Sequence, residues 1–166
     1  MNTRIRTTDE NEDHPNIAII IGSMADLCED TQLFVKMAYY ELAVAKLELN
    51  SNVLELRHDL VSYIEKLYSI YETSDDYDNA LKCLERKLSI QQEYFPPEHI
   101  DIVKTWSQKG FLYQKLPDYS QMAYVCFAQA LTLYDSVERD DETEIMRDHL
   151  IQLVMHELMH MRDSTP

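Results

Sequence analysis

Near its C-terminus the sequence has a spacing of two histidines and a glutamate that is typical of zinc peptidases. His156 and His160 are four residues apart, and Glu157 directly follows the first histidine. On a helix, histidines at this spacing project from one face and can bind one zinc ion. The glutamate is then placed to deprotonate a zinc-bound water. Peptide hydrolysis is therefore one chemistry to weigh for this chain.

A complete catalytic zinc site needs a third protein ligand. Zinc peptidases of this class supply it downstream, where this sequence has only MRDSTP. Upstream, His149 would lie about 10 Å from His156 along a helix, too far to share one ion. We therefore favour a structural or accidental origin for the pattern and predict no catalytic residue, no metal and no cofactor. The alternative is a zinc metallopeptidase, for which His156 and His160 are the candidate ligands. In that case, protein purified without added metal should carry stoichiometric zinc.

The composition favours an all-α protein. Glycine occurs twice and proline five times in 166 residues, whereas hairpin turns and phosphate-binding loops depend on glycine. Leucine, alanine, glutamate and lysine are abundant, and these residues lose little on entering a helix. Thirty acidic against fifteen basic residues leave a formal net charge of −15. We therefore expect neither nucleic acid nor a membrane as a partner.

The sequence favours a cytoplasmic location. The longest aliphatic run, residues 17–21, is too short to cross a bilayer. The N-terminus has no apolar stretch behind its two arginines, so no signal peptide is predicted. The cysteines, Cys28, Cys83 and Cys126, are odd in number and widely spaced, which suits neither a disulfide framework nor a metal knuckle. We expect them to be small buried side chains in a reducing compartment.

Comparing the chain with itself predicts internal repeats. The segment that begins at His14 aligns with the segment that begins at His99, at an offset of 85 residues, and a middle copy begins at Leu60. In this alignment Ala38, Ala80 and Ala123 are equivalent. The prediction is three helix-turn-helix repeats within residues 14–140, at about 14–50, 55–95 and 98–138. They follow a disordered N-terminal tail, 1–13, and precede a capping helix and tail, 141–166.

The spacing within each copy predicts which faces pack. In the third copy, small residues at Gly110 and Ala123 would let two antiparallel helices approach closely, with large side chains filling the space beside them. The predicted packing residues of that copy are Trp106, Gly110, Tyr113, Ala123, Phe127 and Ala130. Those of the second are Ile64, Leu67, Tyr68, Tyr71, Ala80 and Leu84, and those of the first are Ile21, Met24, Ala25, Cys28, Ala38, Leu42 and Ala45.

At these residues the sequence resembles the tetratricopeptide repeat (TPR) family. The third copy has the family's Trp, Gly and Tyr on the first helix and its Ala, Phe and Ala on the second, with Lys109 in place of a leucine. The period of 42 to 43 residues is similar to the longer kinesin-light-chain type of repeat. The resemblance covers residues 14 to 136. It implies an α-solenoid that acts as a non-enzymatic scaffold or adaptor for other proteins.

Residues 141–162 are predicted to form the capping helix that a repeat array needs at its end. This helix is apolar on more than one face, so it must bury more than one face. One face can pack on the third repeat. The remainder suggests a homo-oligomer, a partner protein or a missing domain. A related alternative is that the whole sequence is the repeat fragment of a larger multidomain protein, which the native open reading frame would decide.

In repeats of this type the first helices line a concave groove. We take the face of each first helix opposite its packing residues as the candidate peptide-binding groove. The groove candidates are Ile19, Gly22, Asp26 and Glu29; Ser62, Glu65, Ser69 and Glu72; and Lys104, Ser107, Phe111 and Gln114. Four carboxylates make this groove mildly acidic, so it predicts a basic or amphipathic peptide or helix of a partner protein. The competing interpretation is a solvated face that binds nothing in particular.

Overall fold

The structure is a computed structural model that describes residues 15–49, 56–136 and 141–163. These residues form seven α-helices and no strand, which confirms the all-α prediction for the described part of the chain. The helices are α1 (Pro15–Leu27), α2 (Leu33–Leu49), α3 (Arg57–Thr73), α4 (Tyr77–Tyr94), α5 (Ile100–Lys115), α6 (Ser120–Tyr134) and α7 (Asp141–Asp163), with a short 3₁₀ helix at Asp30–Gln32. The predicted disordered tail, 1–13, lies outside the described residues.

Aspartates take the place of glycine in two of the turns between helices. Asp75 and Asp118 have positive φ angles of 57° and 68°, the left-handed region that short polar side chains tolerate better than most others. Asp76 then caps α4, because its carboxylate accepts a hydrogen bond from the backbone N–H of Asn79 at 3.3 Å. The scarcity of glycine therefore does not prevent sharp reversals between helices.

The chain divides into two compact units, residues 1–70 and 71–166, with the boundary inside α3. In the first unit α1 buries Ala18, Gly22 and Ala25. The ring of Tyr63 on α3 lies so close to Gly22 that an added methyl group there would overlap its hydroxyl end. Gly22 is therefore a close-packing residue, and its predicted place in the groove is wrong.

On α2 the buried side chains are Tyr40, Ala43, Val44 and Leu47. Ala38, Leu42 and Ala45, which the repeat alignment placed in the core, are exposed instead, as is Met24 on α1. Only Ala25 of that predicted set is fully buried. The predicted packing face of the first repeat is therefore wrong.

The reason is that no constant offset aligns both helices of the first and third repeats. Ala18, Gly22 and Ala25 on α1 have the same spacing as Trp106, Gly110 and Tyr113, but lie 88 residues before them. The buried set on α2 matches that of α6 at an offset of 83. The connection between α1 and α2 is only one residue longer than that between α5 and α6. Most of the difference between the offsets arises because α2 has seven residues before Tyr40, whereas α6 has three before Ala123.

In the second unit, α5, α6 and α7 enclose a core around Phe127, whose side chain is fully buried. Gly110 on α5 faces this ring, as the sequence predicted for the small position of the third repeat. Ala123 and Ala130 on α6 are also fully buried, and Leu150 of α7 completes the cluster. In this part of the chain the predicted packing positions are confirmed.

The cysteines differ in their access to solvent, and this predicts an order of reaction. Burial raises the pKa of the Cys126 thiol to about 11, an effect that Lys109 partly opposes. Cys83 is also buried, whereas Cys28 is half-buried. We expect iodoacetamide at pH 8 to alkylate Cys28 well before Cys83 and Cys126, since the thiolate is the nucleophile and needs access. Peptide mass spectrometry would measure the order, and equally fast labelling of Cys126 in the folded chain would contradict it.

Candidate functional site

Apart from Gly22 and Ile19, ten residues are predicted to line the groove, and they are divided between the two units. Asp26, Glu29, Ser62, Glu65 and Ser69 belong to the first unit, and Glu72, Lys104, Ser107, Phe111 and Gln114 belong to the second. Ile19 is half-buried, and its carbonyl accepts a hydrogen bond from the Tyr63 hydroxyl at 3.3 Å. Each unit is therefore described as a separate surface.

In the first unit Asp26 is engaged within the chain. Its Oδ1 accepts hydrogen bonds from the Tyr40 hydroxyl and from Lys66 Nζ, both at 2.5 Å. Burial raises the pKa of the Asp26 carboxyl, but the hydrogen bonds from Lys66 and Tyr40 outweigh it and hold the pKa below its usual range. Burial, together with this contact, raises the pKa of Tyr40. The charge of the Asp26 carboxylate is thus offset by Lys66, and this carboxylate connects α1, α2 and α3.

The other candidates of the first unit face solvent to different degrees. Glu29, Glu65 and Ser69 are exposed, and Ser62 is half-buried. Glu29 also accepts a long hydrogen bond, 3.4 Å, from the Thr31 hydroxyl. The exposed glutamates of this set are Glu29 and Glu65.

In the second unit four candidates follow one face of α5. Lys104 and Gln114 are exposed, Ser107 is half-buried, and Phe111 exposes 36% of its surface. The Phe111 ring packs edge-to-face on Phe127 with 5.2 Å between centroids, so its orientation is fixed by the core. The face therefore presents one rigidly held aromatic ring among polar groups.

The capping helix reaches this face of α5. Gln114 Nε2 donates a 2.6 Å hydrogen bond to Glu157 Oε1 on α7. The ring of His149, also on α7, lies 6.2 Å from that of Phe111. Contacts at both Phe111 and Gln114 show that α7 borders the predicted groove surface rather than packing only behind it.

Glu72, the last candidate, forms a salt bridge with Lys115 at the end of α5. The distance from Lys115 Nζ to Glu72 Oε1 is 2.8 Å. This hydrogen bond raises the pKa of Lys115, which burial only partly offsets. Two of the four predicted groove carboxylates, Asp26 and Glu72, are thus paired with lysines inside the chain, and the surface is less acidic than its residue types suggest.

His156 and His160 do lie on one face of α7, with 5.8 Å between ring centroids. Glu157, however, is buried and accepts the hydrogen bond from Gln114, and its Oε1 is also 3.2 Å from His156 Nδ1. Its carboxylate therefore joins α7 to α5. Among the described residues, no group of three or more histidine, cysteine, aspartate or glutamate side chains is arranged to hold a metal ion.

A cleft of about 590 Å³ opens where the turn after α5 meets α7. It is lined by Gln114, Lys115, Leu116, Pro117, Asp118, Ser120, His156, Glu157 and His160. The cleft therefore combines two carboxylates, two imidazoles and a lysine at the end of the α5 face that carries Phe111. Sequence reasoning missed Lys115 and Asp118, although the Pro117-Asp118 break between the repeat helices marked the turn.

Solved structures with similar folds are TPR-like repeat proteins. BtubC (BKLC) from P. vanneervenii matches with a TM-score of 0.63 and 16% identity, over 98% of this chain and 70% of that chain. A putative kinesin light chain from Podosopora anserina, with nearly identical TPR-like repeats, matches with a TM-score of 0.54 and 15% identity, over 92% of this chain and 79% of that chain. No family model matches the sequence, and no curated protein matches it.

These similarities confirm the predicted fold class, since the chain has the α-solenoid fold of TPR-like repeat proteins. They also agree with the kinesin-light-chain type of repeat that the period suggested. Among the described helices, none is both long enough and apolar enough to span a membrane.

Proposed function

We propose that this chain is a non-enzymatic protein-interaction module that binds a peptide or helix of a partner protein. TPR-like repeat folds suggest an interaction scaffold, because stacked helices present extended surfaces rather than an enclosed active site. The observation that carries the proposal is the exposed face of α5, which runs past Phe111 into the cleft beside α7. A cleft of this size is in the range that accepts a ligand side chain or short segment.

The partner segment that suits this surface is basic or amphipathic. An apolar side chain would rest against the Phe111 ring, and a lysine or arginine would reach the exposed cleft carboxylate, Asp118. In the first unit, exposed Glu29 and Glu65 offer the same charge preference on a separate surface. A net charge of −15 would steer such segments toward the chain. We place this activity in the cytoplasm and include self-association through α7 among its proposed interactions.

A peptide-display selection against the full chain would test the proposal. We expect selected peptides to be enriched in lysine or arginine beside a large apolar residue. Asp118→Asn should weaken their binding about three- to tenfold, because it removes one carboxylate while asparagine tolerates the positive φ. Asp75→Asn is the matched control, since Asp75 also has a positive φ but does not line the cleft.

Fluorescence polarisation with the selected peptides would give the affinities, and Glu65→Lys would examine the acidic surface of the first unit. Selected peptides without basic enrichment would contradict the proposed partner class. If the peptides bind the Asp118→Asn chain and the Asp75→Asn chain with equal affinity, the cleft is not part of the binding site.

A further inference from the structure

Two exposed histidines on α7 line the cleft at the end of α5, and the proposed peptide binding uses neither of them. His156 and His160 are four residues apart on one face of the helix. The side chain of His156 is 65% exposed, and His160 is also exposed. The sequence alone predicts no metal here, because no third ligand follows His160. The structure adds how the two rings are placed and what holds the first of them.

The distance between the two rings suits a shared metal ion. Their centroids are 5.8 Å apart. Two imidazoles that each bind the same ion at about 2 Å have centroids roughly 4.5–6 Å apart. The rings of His156 and His160 therefore already have the separation of two ligands of one ion.

Glu157 orients one of these rings as a metal ligand is oriented. Its Oε1 lies 3.2 Å from His156 Nδ1. A carboxylate can only accept hydrogen bonds, so we assign the proton of the neutral imidazole to Nδ1, which leaves Nε2 as the basic nitrogen. In metal sites a histidine ligand characteristically donates its other N–H to a carboxylate or carbonyl, which fixes the ring and makes it a stronger ligand. His156 has such a carboxylate partner.

The burial of Glu157 makes this support rigid. Only 3% of the residue is exposed, although it lies between two cleft histidines on α7. Its Oε1 also accepts a 2.6 Å hydrogen bond from Gln114 Nε2, which ties the carboxylate to α5. A buried carboxylate is costly unless polar groups partner it, so the contacts with Gln114 and His156 hold it in place. The His156 ring is thus fixed from inside the chain while most of it stays open to solvent.

We propose that His156 and His160 bind a divalent transition-metal ion such as zinc. Imidazole nitrogens favour zinc, copper and nickel over magnesium and calcium, which take oxygen ligands. Within the described part of the chain, no group of three or more histidine, cysteine, aspartate or glutamate side chains is arranged to hold a metal. This is therefore a two-histidine site, in which water would fill the remaining positions of the ion. The ion would link two successive turns of α7 beside the cleft.

Isothermal titration calorimetry of the full chain with zinc chloride, without a histidine tag, would test this site. We expect one zinc ion to bind per chain and magnesium chloride to give no binding at the same concentrations. His160→Ala should weaken zinc binding at least about tenfold, because one of the two ligands is lost. His149→Ala is the matched control and should leave the affinity unchanged, since His149 is also exposed on α7 but does not line the cleft.

Glu157→Gln tests the support of the ligand. Glutamine has the same shape, and its side-chain oxygen still accepts a hydrogen bond, but it lacks the negative charge. Zinc affinity should therefore fall about tenfold while the helical circular dichroism spectrum stays unchanged. An unchanged zinc affinity in this variant would overturn the role assigned to Glu157.

A wild-type chain that does not bind zinc would overturn the metal site. So would equal losses of affinity in the His160→Ala chain and the His149→Ala chain, since that result would mean scattered binding to surface histidines. The titration contains no peptide, so a failure to bind zinc is distinct from a failure of the proposed peptide binding.

Discussion

Replacing Gly110 by alanine should destabilise the chain by about 1–3 kcal/mol, even though alanine favours a helix over glycine by about 1 kcal/mol. The added methyl carbon would lie 2.5 Å from Phe127 Cε1 and 2.7 Å from Cδ1, well inside contact distance. The Phe127 ring cannot readily move away, because it is fully buried and Phe111 packs against it. Valine at this position should destabilise the chain further.

Urea unfolding followed by circular dichroism would measure these changes, and a double-mutant cycle would assign them. Phe127→Leu removes Cε1 and Cζ, two of the three ring atoms nearest the new methyl group, so the two substitutions together should cost less than the sum of their separate effects. An alanine variant that is more stable than the wild type would show that the helix pair separates easily, and it would contradict the close contact between α5 and α6.

The second large effect is expected for Thr105→Val. The Thr105 hydroxyl is fully buried between α4 and α5, 2.8 Å from the side-chain oxygen of Gln91 and 2.9 Å from the carbonyl of Asp101. Valine has nearly the same shape but no hydroxyl, so the substitution would leave the buried Gln91 amide without this partner. We expect a loss of about 1–3 kcal/mol in the free energy of unfolding.

Thr132→Val is the matched control for this prediction. The Thr132 hydroxyl also donates a hydrogen bond, 2.8 Å, to a carbonyl four residues earlier, that of Ala128, but Thr132 is exposed. Water can replace the lost contact there, so the same substitution should change stability by less than about 0.5 kcal/mol. Equal effects at Thr105 and Thr132 would mean that the Gln91 contact contributes nothing to stability.

The residues of the third repeat were sufficient to predict its packing. Trp106, Gly110 and Tyr113 on one helix and Ala123, Phe127 and Ala130 on the next differ enough in size to mark one face of each helix. The buried cluster around Phe127 contains most of them. Where one face is much more distinctive than the other, helical periodicity decides which side is buried.

In the first repeat that condition fails, since α1 and α2 are apolar on both faces. Periodicity placed Ala38, Leu42 and Ala45 in the core, and the structure buries Tyr40, Ala43, Val44 and Leu47. The buried residues of α1 and those of α2 also align with the third repeat at different offsets, mainly because α2 begins earlier relative to its buried face. The side that packs was settled by contact with α3, where Tyr63 lies over Gly22.

The candidate site was predictable in position but not in charge. Phe111 and Gln114 lie on the exposed face of α5, as their spacing indicates. Gln114, however, donates a hydrogen bond to Glu157 of α7. Asp26 and Glu72 were read as acidic groove residues, and their lysine partners are 40 and 43 positions further along the chain. No local pattern links residues at such separations.

Composition and periodicity by themselves determined that this protein is all-helical, acidic and built from helical repeats, because these properties depend on residue types at short, regular spacings. Only the tertiary structure decided which face of the first repeat is buried and which carboxylates pair with lysines. It alone also decided that Glu157 is buried and bonded to Gln114. Those outcomes depend on which helices meet, and contacts between distant segments form only when the helices pack.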